Sequence, residues 1–152
     1  MSKIISYKGK LDIGEQDRLQ IATLKGKVGY KINKFQITST LPGQATAQEL
    51  IGRIFTDNRT TNTSATLDFT DGTMLAVSIT FHSGNTNPTF EQIIFDNEKT
   101  NQDLFVTIID ANGGTIPCNY YIELEAMDIS DLEATMLTLK NIRTITADPG
   151  TP

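Results

Sequence analysis

The sequence predicts an all-β protein: a jelly-roll-like antiparallel β-sandwich with one short C-terminal helix. Three observations predict it. Stretches of alternating polar and apolar residues recur about every 8–12 residues, with turn signals between them, which gives roughly eight or nine strands. The polarity of the chain comes from hydroxyls and amides, with 22 Thr and 10 Asn, rather than from charge, since only 20% of residues are charged. A single capping box, Ser130-Asp131-Leu132-Glu133, marks one helix start near the C-terminus. An immunoglobulin-like sandwich is the alternative, but its Cys…Trp…Cys arrangement is missing from a chain with one Cys and no Trp.

The 152 residues suit one domain, divided here as an N-terminal arm over 1–15, a sandwich over 16–146 with its helix near 131–140, and a tail over 147–152. Within the arm, Ile4 to Lys8 is β-prone. Arg18 to Leu24 begins with clean period-two alternation, the mark of a half-buried strand. Lys25-Gly26-Lys27 is a turn, and a hairpin to the next strand would use a positive φ at Gly26. In Val28 to Thr40 the apolar side switches near Lys34, from Tyr30 and Ile32 to Phe35 and Ile37, which predicts a bulge.

Pro42-Gly43 ends that strand. Ala45 to Glu49 makes one helical turn or leads directly into Leu50 to Thr56. The loop Asp57 to Asn62 is expected to be exposed. Thr63 to Phe69 alternates with Ala65, Leu67 and Phe69 inward, Asp71-Gly72 turns, and Leu75, Val77, Ile79 and Phe81 form the most regular inward row. Polar loops over His82 to Thr89 and Asp96 to Asp103 flank a strand from Phe90 to Phe95. Leu104 to Ile109 is apolar throughout, as a strand buried on both faces would be.

After the Asn112-Gly113-Gly114 turn, Ile116 to Asp128 is the last strand. Cys118, Tyr120, Ile122 and Leu124 lie on one side, with Tyr121, Glu123, Glu125 and Met127 on the other. The helix is expected over Asp131 to Lys140, docking through Leu132, Met136, Leu139 and Arg143, followed by an extended Asn141 to Thr146.

Little in the chain points to chemistry. A net charge of −5 argues against a surface built to grip nucleic acid or anionic lipid. The N-terminus has no signal-peptide layout, and no apolar run approaches a membrane helix, which predicts a soluble chain made in a cytoplasm. His82 is the only histidine, so any Ser-His-Asp triad would need it, yet no Gly-x-Ser-x-Gly elbow accompanies it and Ser83 is an ordinary neighbour. A rim histidine with one hydrogen bond is the expectation. One histidine also cannot supply a cupin-type metal site.

Asp57, Asp68, Asp71, Asp96, Glu98 and Asp103 stand in or near loops. Asp96-Asn97-Glu98 and Asp110-Ala111-Asn112-Gly113 miss the calcium-loop pattern, and turns use Asp and Asn for backbone capping anyway. Glu123 and Glu125 share a strand face as a glycosidase pair would, but they more simply mark a solvated or intersubunit face. Cys118 alone excludes an internal disulfide and is expected to be a small buried strand residue. No catalytic, cofactor-binding or metal residue is therefore assigned, and no cofactor is expected. The lysines Lys8, Lys10, Lys25, Lys27, Lys31 and Lys34 read as edge protection or as a docking surface for an acidic partner.

Gly29 to Ile37, Phe95-Asp96-Asn97-Glu98 with Asn101 to Thr107, and Asn119 to Glu125 with Thr138 to Arg143 together resemble small structural proteins encoded by tailed bacteriophages of marine bacteria. The resemblance covers most of the chain and lies in its texture of strands rather than in a functional motif, so no catalytic residue carries over. It implies a non-enzymatic virion protein, a capsid decoration (cement) or minor capsid protein. Its partners would be the major capsid protein, other virion proteins and copies of itself, with no direct nucleic-acid or membrane contact. The arm, laid on a neighbour's edge, and Tyr121 with Met127 would mediate the self-contact, with lysines of another copy facing Glu123 and Glu125. A carbohydrate-binding or adhesin module is the competing class; it usually displays aromatic platforms, and Tyr121 is the one tyrosine that the alternation places outward.

Overall fold

Strand β3, Val28–Ser39, shows how the side-chain pattern builds the sandwich. In the computed structural model, which describes residues 2–23, 26–43, 46–59, 66–82, 89–95 and 99–147, β3 pairs along its length with β9, Cys118–Asp128. The ladder slips by one residue between Ile32 and Lys34, leaving Asn33 without a cross-strand partner. Tyr30 and Ile32 before the bulge, and Phe35, Ile37 and Ser39 after it, therefore all face inward and are buried. The bulge expected from the switched pattern is present.

On the other side of β9 runs β1, Ser2–Leu11, with Ile5 opposite Leu124 and Tyr7 opposite Ile122. The segment read as an arm is thus an edge strand on its own chain. Its alternating Ile5, Tyr7 and Leu11 find burial against β9 without a neighbour. The short β7, Lys99–Thr100, completes a four-stranded sheet in the order β1-β9-β3-β7. The second sheet holds five strands, β2 (Gln16–Leu19), β8 (Leu104–Asp110), β4 (Gln48–Phe55), β5 (Met74–His82) and β6 (Thr89–Ile94), in the order β2-β8-β4-β5-β6. All pairings are antiparallel.

The expected hairpin between the stretch at Arg18 and β3 does not form. Gly26 has the positive φ of 63°, but β2 joins β8 in one sheet and β3 joins β9 in the other. The strand is also shorter than expected, because Ile21 to Thr23 leave the ladder.

Phe35, Leu50, Ile54, Leu104, Val106, Ile108, Ile122 and Leu124 fill the space between the sheets and are fully buried. A Cβ on Gly52 would stand 2.9 Å from both Ile37 and Phe35, so glycine there allows the sheets their close approach. Among the side-chain hydrogen bonds that tie the layers, one joins β9 to β2 and another joins β3 to β4. The Tyr120 hydroxyl donates to Asp17 at 2.7 Å, and the Ser39 hydroxyl donates to Gln48 at 2.7 Å. Burial and the Asp17 carboxylate together raise the Tyr120 phenol above its usual range, so it remains a donor.

The row Leu75, Val77, Ile79 and Phe81 is not a core row. The β4–β5 register shifts between Ile54 and Phe55, so Leu75 and Ala76 both reach the main core. Val77 and Ile79 turn to the other face, packing with Phe55, Met74, Leu67 and Phe95, while Phe81 is exposed. The alternation itself is clean, but the row turned toward the other sheet is the polar one, with Ser78, Thr80 and His82 all buried there. Residues 66–69 form no strand. Phe69 is exposed and sets its ring edge-on to Phe95, with centroids 5.2 Å apart. The remainder of that expected strand, 63–65, lies outside the described residues. Of the two readings of Ala45 to Glu49, the chain takes the direct one: Gln48 and Glu49 already belong to β4, with no helical turn among the described residues. β8 is buried on both faces as expected, with Thr107 and Ile109 covered as well as Val106 and Ile108.

Helix α1, Asp131–Ala147, starts where the capping box places it: Ser130 Oγ accepts the Glu133 amide at 3.1 Å. It continues through 141–146, which was expected to be extended. Once a helix is nucleated, each further residue adds a hydrogen bond, which outweighs the weak β preference of Ile142, Thr144, Ile145 and Thr146. Its docking face is also the reverse of the expected one. Ala134 is buried, and Asn101 donates to the Ala134 carbonyl at 3.2 Å and to Thr138 Oγ1 at 3.0 Å. Leu132, Met136 and Leu139 point to solvent. Small residues permit a close approach to the Gly26 turn that three large ones would prevent. The expected tail at 148–152 lies outside the described residues.

Candidate functional site

The residues weighed for chemistry are dispersed. His82 ends β5 on the inward face, opposite Gln48, and is buried with neither ring nitrogen hydrogen-bonded. It is not the rim histidine expected, and among the described residues it makes no hydrogen bond to a nucleophile or an orienting acid of the kind a triad base needs. Ser83 lies outside the described residues, as do Asp96 and Glu98. Asp110 Oδ1 accepts the Glu49 and Asn112 amides at 3.2 and 2.9 Å, which is the turn-capping role expected of it. Asp68 caps Thr70 in the same way. Asp103 receives Arg18 at 2.6 Å and the Ala22 amide at 2.8 Å, fastening the chain after β2. Among the described residues, no three His, Cys, Asp or Glu side chains gather to hold a metal ion, and no helix is long and apolar enough to cross a membrane.

Glu123 and Glu125 do share the outer face of the four-stranded sheet. Their cross-strand neighbours are Lys34 and Lys31 of the same chain, with Ser6 and Ile4 on the other side. Lysines of the same sheet thus stand opposite both glutamates. Tyr121 sits half-buried between Lys8 and Gln36.

Cys118 is buried in β9, and desolvation pushes its thiol up to about 12, with nearby Asp110 raising it further and a backbone hydrogen bond from Thr38 opposing. The folded protein is expected to react with a thiol-disulfide reagent at pH 8 about a thousandfold more slowly than a free cysteine does. Stopped-flow labelling before and after unfolding checks this. Fast labelling of the folded state would place Cys118 at the surface.

A polar cluster that the sequence reading missed lies on the outer face of the five-stranded sheet. Residues 56–59 and 66–73 pass over this face. Arg59 is 5% exposed; its guanidinium meets Asp57 at 3.0 Å, Asp71 at 2.7 Å and Thr73 Oγ1 at 2.8 Å, and stacks 4.7 Å from the Phe55 ring centroid. Arg53, also buried, donates to the Thr66 carbonyl at 2.9 Å. Burial and the neighbouring Arg59 lower its guanidinium from the usual range, against the pull of Asp71. Gln16 accepts the Arg59 amide and donates to Asn58 at 3.0 Å. Asp57 and Asp71, expected in exposed loops, thus serve a buried clamp. The signal was present as Arg53 inside the apolar run Leu50-Ile51-Gly52-Arg53-Ile54-Phe55, since an arginine there must be paired.

Among the described residues, two surfaces stand out as open to other molecules. The first is a cleft of about 500 Å³ between β3 and β6, lined by Gln36, Ile37, Thr38, Ser78, Phe90, Glu91 and Gln92. It exists because β7 covers β3 only at Tyr30 and Lys31. Beyond that point side chains of the other sheet close part of the strand edge. The Phe35 amide donates to Gln92 Oε1 at 2.7 Å, and the Thr80 hydroxyl donates to the Ile37 carbonyl at 3.1 Å. The Phe90 ring stands 67% exposed at its rim. One aromatic face beside amides, hydroxyls and a carboxylate is suited to holding a polyhydroxylated molecule. The second surface is the outward face of α1. The chain matches no protein-family model and no curated protein.

Proposed function

We propose that the protein is a non-enzymatic structural component of a virus particle, a capsid decoration or minor capsid protein, built as a jelly roll. The observation that carries this reading is the order of the strands. β1 pairs with β9, β2 with β8, β3 with β7 and β4 with β5, with β6 added at one edge. Nested pairing of this kind results when a long hairpin is rolled into two sheets, and jelly rolls recur in viral capsid and lectin domains. Fold alone assigns no function, so the surfaces must agree with it. Two features support the reading: the exposed apolar face of α1 suits a protein that works by contact, and the texture of strands in the sequence resembles that of phage structural proteins.

Co-sedimentation of the tagged, full-length chain with particles of the virus that encodes it tests the reading. Saturable binding to particles stripped of the native copy is the expected result. Absence of binding to stripped particles, with the native protein found only in free form in infected cells, would overturn it.

The edge cleft favours a second reading, a glycan-binding module of the same fold. Calorimetric titration with host-surface polysaccharide separates the two. Binding that is lost in Phe90→Ala would favour the glycan reading, and no heat at millimolar sugar would remove it.

A further inference from the structure

We propose that α1 pairs two copies of this chain, antiparallel, along the seam Leu132, Met136 and Leu139. These side chains are 71%, 60% and 53% exposed, a contiguous apolar line along the outward face of the helix. Their spacing of four and then three residues is the interval that keeps apolar side chains on one line facing a partner helix.

The body leaves this seam accessible. Successive residues of a helix turn by about 100°, so the docked residues Ala134 and Thr138 lie on the side opposite Met136. Asn101 holds that inner side. Lys27 meets Asp131 at 2.8 Å and Lys99 meets Glu133 at 3.1 Å, anchoring the first turn. A second helix laid on the seam therefore meets helix alone, and the two sandwiches stand on opposite sides of the pair.

Charge chooses the occupant and its direction. Glu133 and Lys140 lie seven residues apart on the same flank of the seam, acidic near the start and basic further along. In an antiparallel pair this flank meets its own reversed copy, so Glu133 of each chain comes opposite Lys140 of the other. A carboxylate has acceptor sites for such a contact in addition to Lys99, and an ammonium has three donors, so Lys140 can make it beside the interaction it has within its own chain. In a parallel pair the flank would meet the side carrying Thr135, with no charge to complement. A membrane surface is a poor match, because interfacial helices carry lysine and arginine around their apolar face, whereas this helix opens with Asp131 and Glu133. The arrangement is self-complementary and closes as a two-fold dimer.

Three large side chains make a small interface. Contacts below roughly 1,200 Å² hold transient complexes, so the dimer is expected to dissociate on the order of 10–100 µM. Sedimentation velocity of the full chain from 5 µM to 1 mM is the test, with circular dichroism confirming the fold of every variant. The wild type is expected to pass from monomer to dimer. Met136→Glu is expected to stay monomeric with its melting temperature unchanged, because the side chain faces solvent in the single copy. Glu133→Lys and Lys140→Glu are each expected to weaken the dimer about tenfold, and the double exchange is expected to restore it. A wild type monomeric at 1 mM, a trimer or larger species, a dimer insensitive to Met136→Glu, or a double exchange that fails to restore pairing would each overturn the proposal.

Discussion

Replacing Arg59 by alanine is expected to destabilise the folded chain by about 3–5 kcal/mol, the cost typical of breaking a buried ion pair from one side. For a domain of this length that corresponds to a fall in melting temperature of about 6–20 °C. The size follows from what is left behind. Asp57 and Asp71 have side chains only 12% and 9% exposed, and both would lose the guanidinium that compensates their burial. The Phe55 ring would lose the cation stacked 4.7 Å above it. Arg59→Lys is expected to recover only part of the loss, because one ammonium cannot fork between two carboxylates and Thr73. The control is Lys99→Ala. Its ion pair with Glu133 is more than a third exposed on both sides, and such pairs contribute about 0–1 kcal/mol. Thermal denaturation of the three variants separates these cases. A loss below 1 kcal/mol for Arg59→Ala would mean that residues 56–59 and 66–73 are held over the sheet by something other than this clamp.

The second large effect concerns register. Deleting Gln36 is expected to abolish cooperative folding, whereas deleting Asn33 is expected to leave the chain folded. Asn33 is the extra residue of the β3 bulge, opposite nothing on β9. Without it, Tyr30, Ile32, Phe35 and Ile37 would alternate regularly on one face. Gln36 is paired with Tyr121, and removing it forces part of the strand to turn over. Either Ile37 and Ser39 reach water and abandon Thr80 and Gln48, or Tyr30, Ile32 and Phe35 do. Chemical denaturation followed by circular dichroism distinguishes the two deletions. Equal behaviour would show that the bulge does not set the register.

These two sites also show what was legible in the sequence. The bulge could be read because a half-buried strand reports its facing directly: Tyr30 and Ile32 are even, Phe35 and Ile37 odd, and only one inserted residue reconciles them. The helix start was legible for a similar local reason, since the Ser130–Glu133 cap involves neighbours in the chain. The sheet to which each strand belongs was not legible. The stretches around Arg18 and Val28 look like a hairpin, and only the distant partners β8 and β9 separate them. Val77 and Ile79 face away from the other sheet because cover from residues 66–73 gives the outer face of β5 its own apolar packing, while Ser78, Thr80 and His82 take the inner face. The helix was assigned the wrong face because apolarity alone was weighed. The body accepts Ala134 and Thr138, since Asn101 reaches across to bond them, and that partner lies 33 residues away from Ala134. The Arg59 clamp joins residues from β2, the end of β4 and the approach to β5, a meeting that periodicity does not encode. Of the surfaces left open, Phe90 was read as an ordinary strand residue, because its exposure depends on how little of β3 is covered by β7.

Under the proposed function, the free surfaces of this sandwich serve contact with other components of a virus particle. Quantitative mass spectrometry of purified virus particles tests that claim most directly. The expected result is this chain present in every preparation at a constant molar ratio to the major capsid protein, surviving density-gradient purification. Its absence from purified particles, or a ratio that falls away with each purification step, would contradict the account.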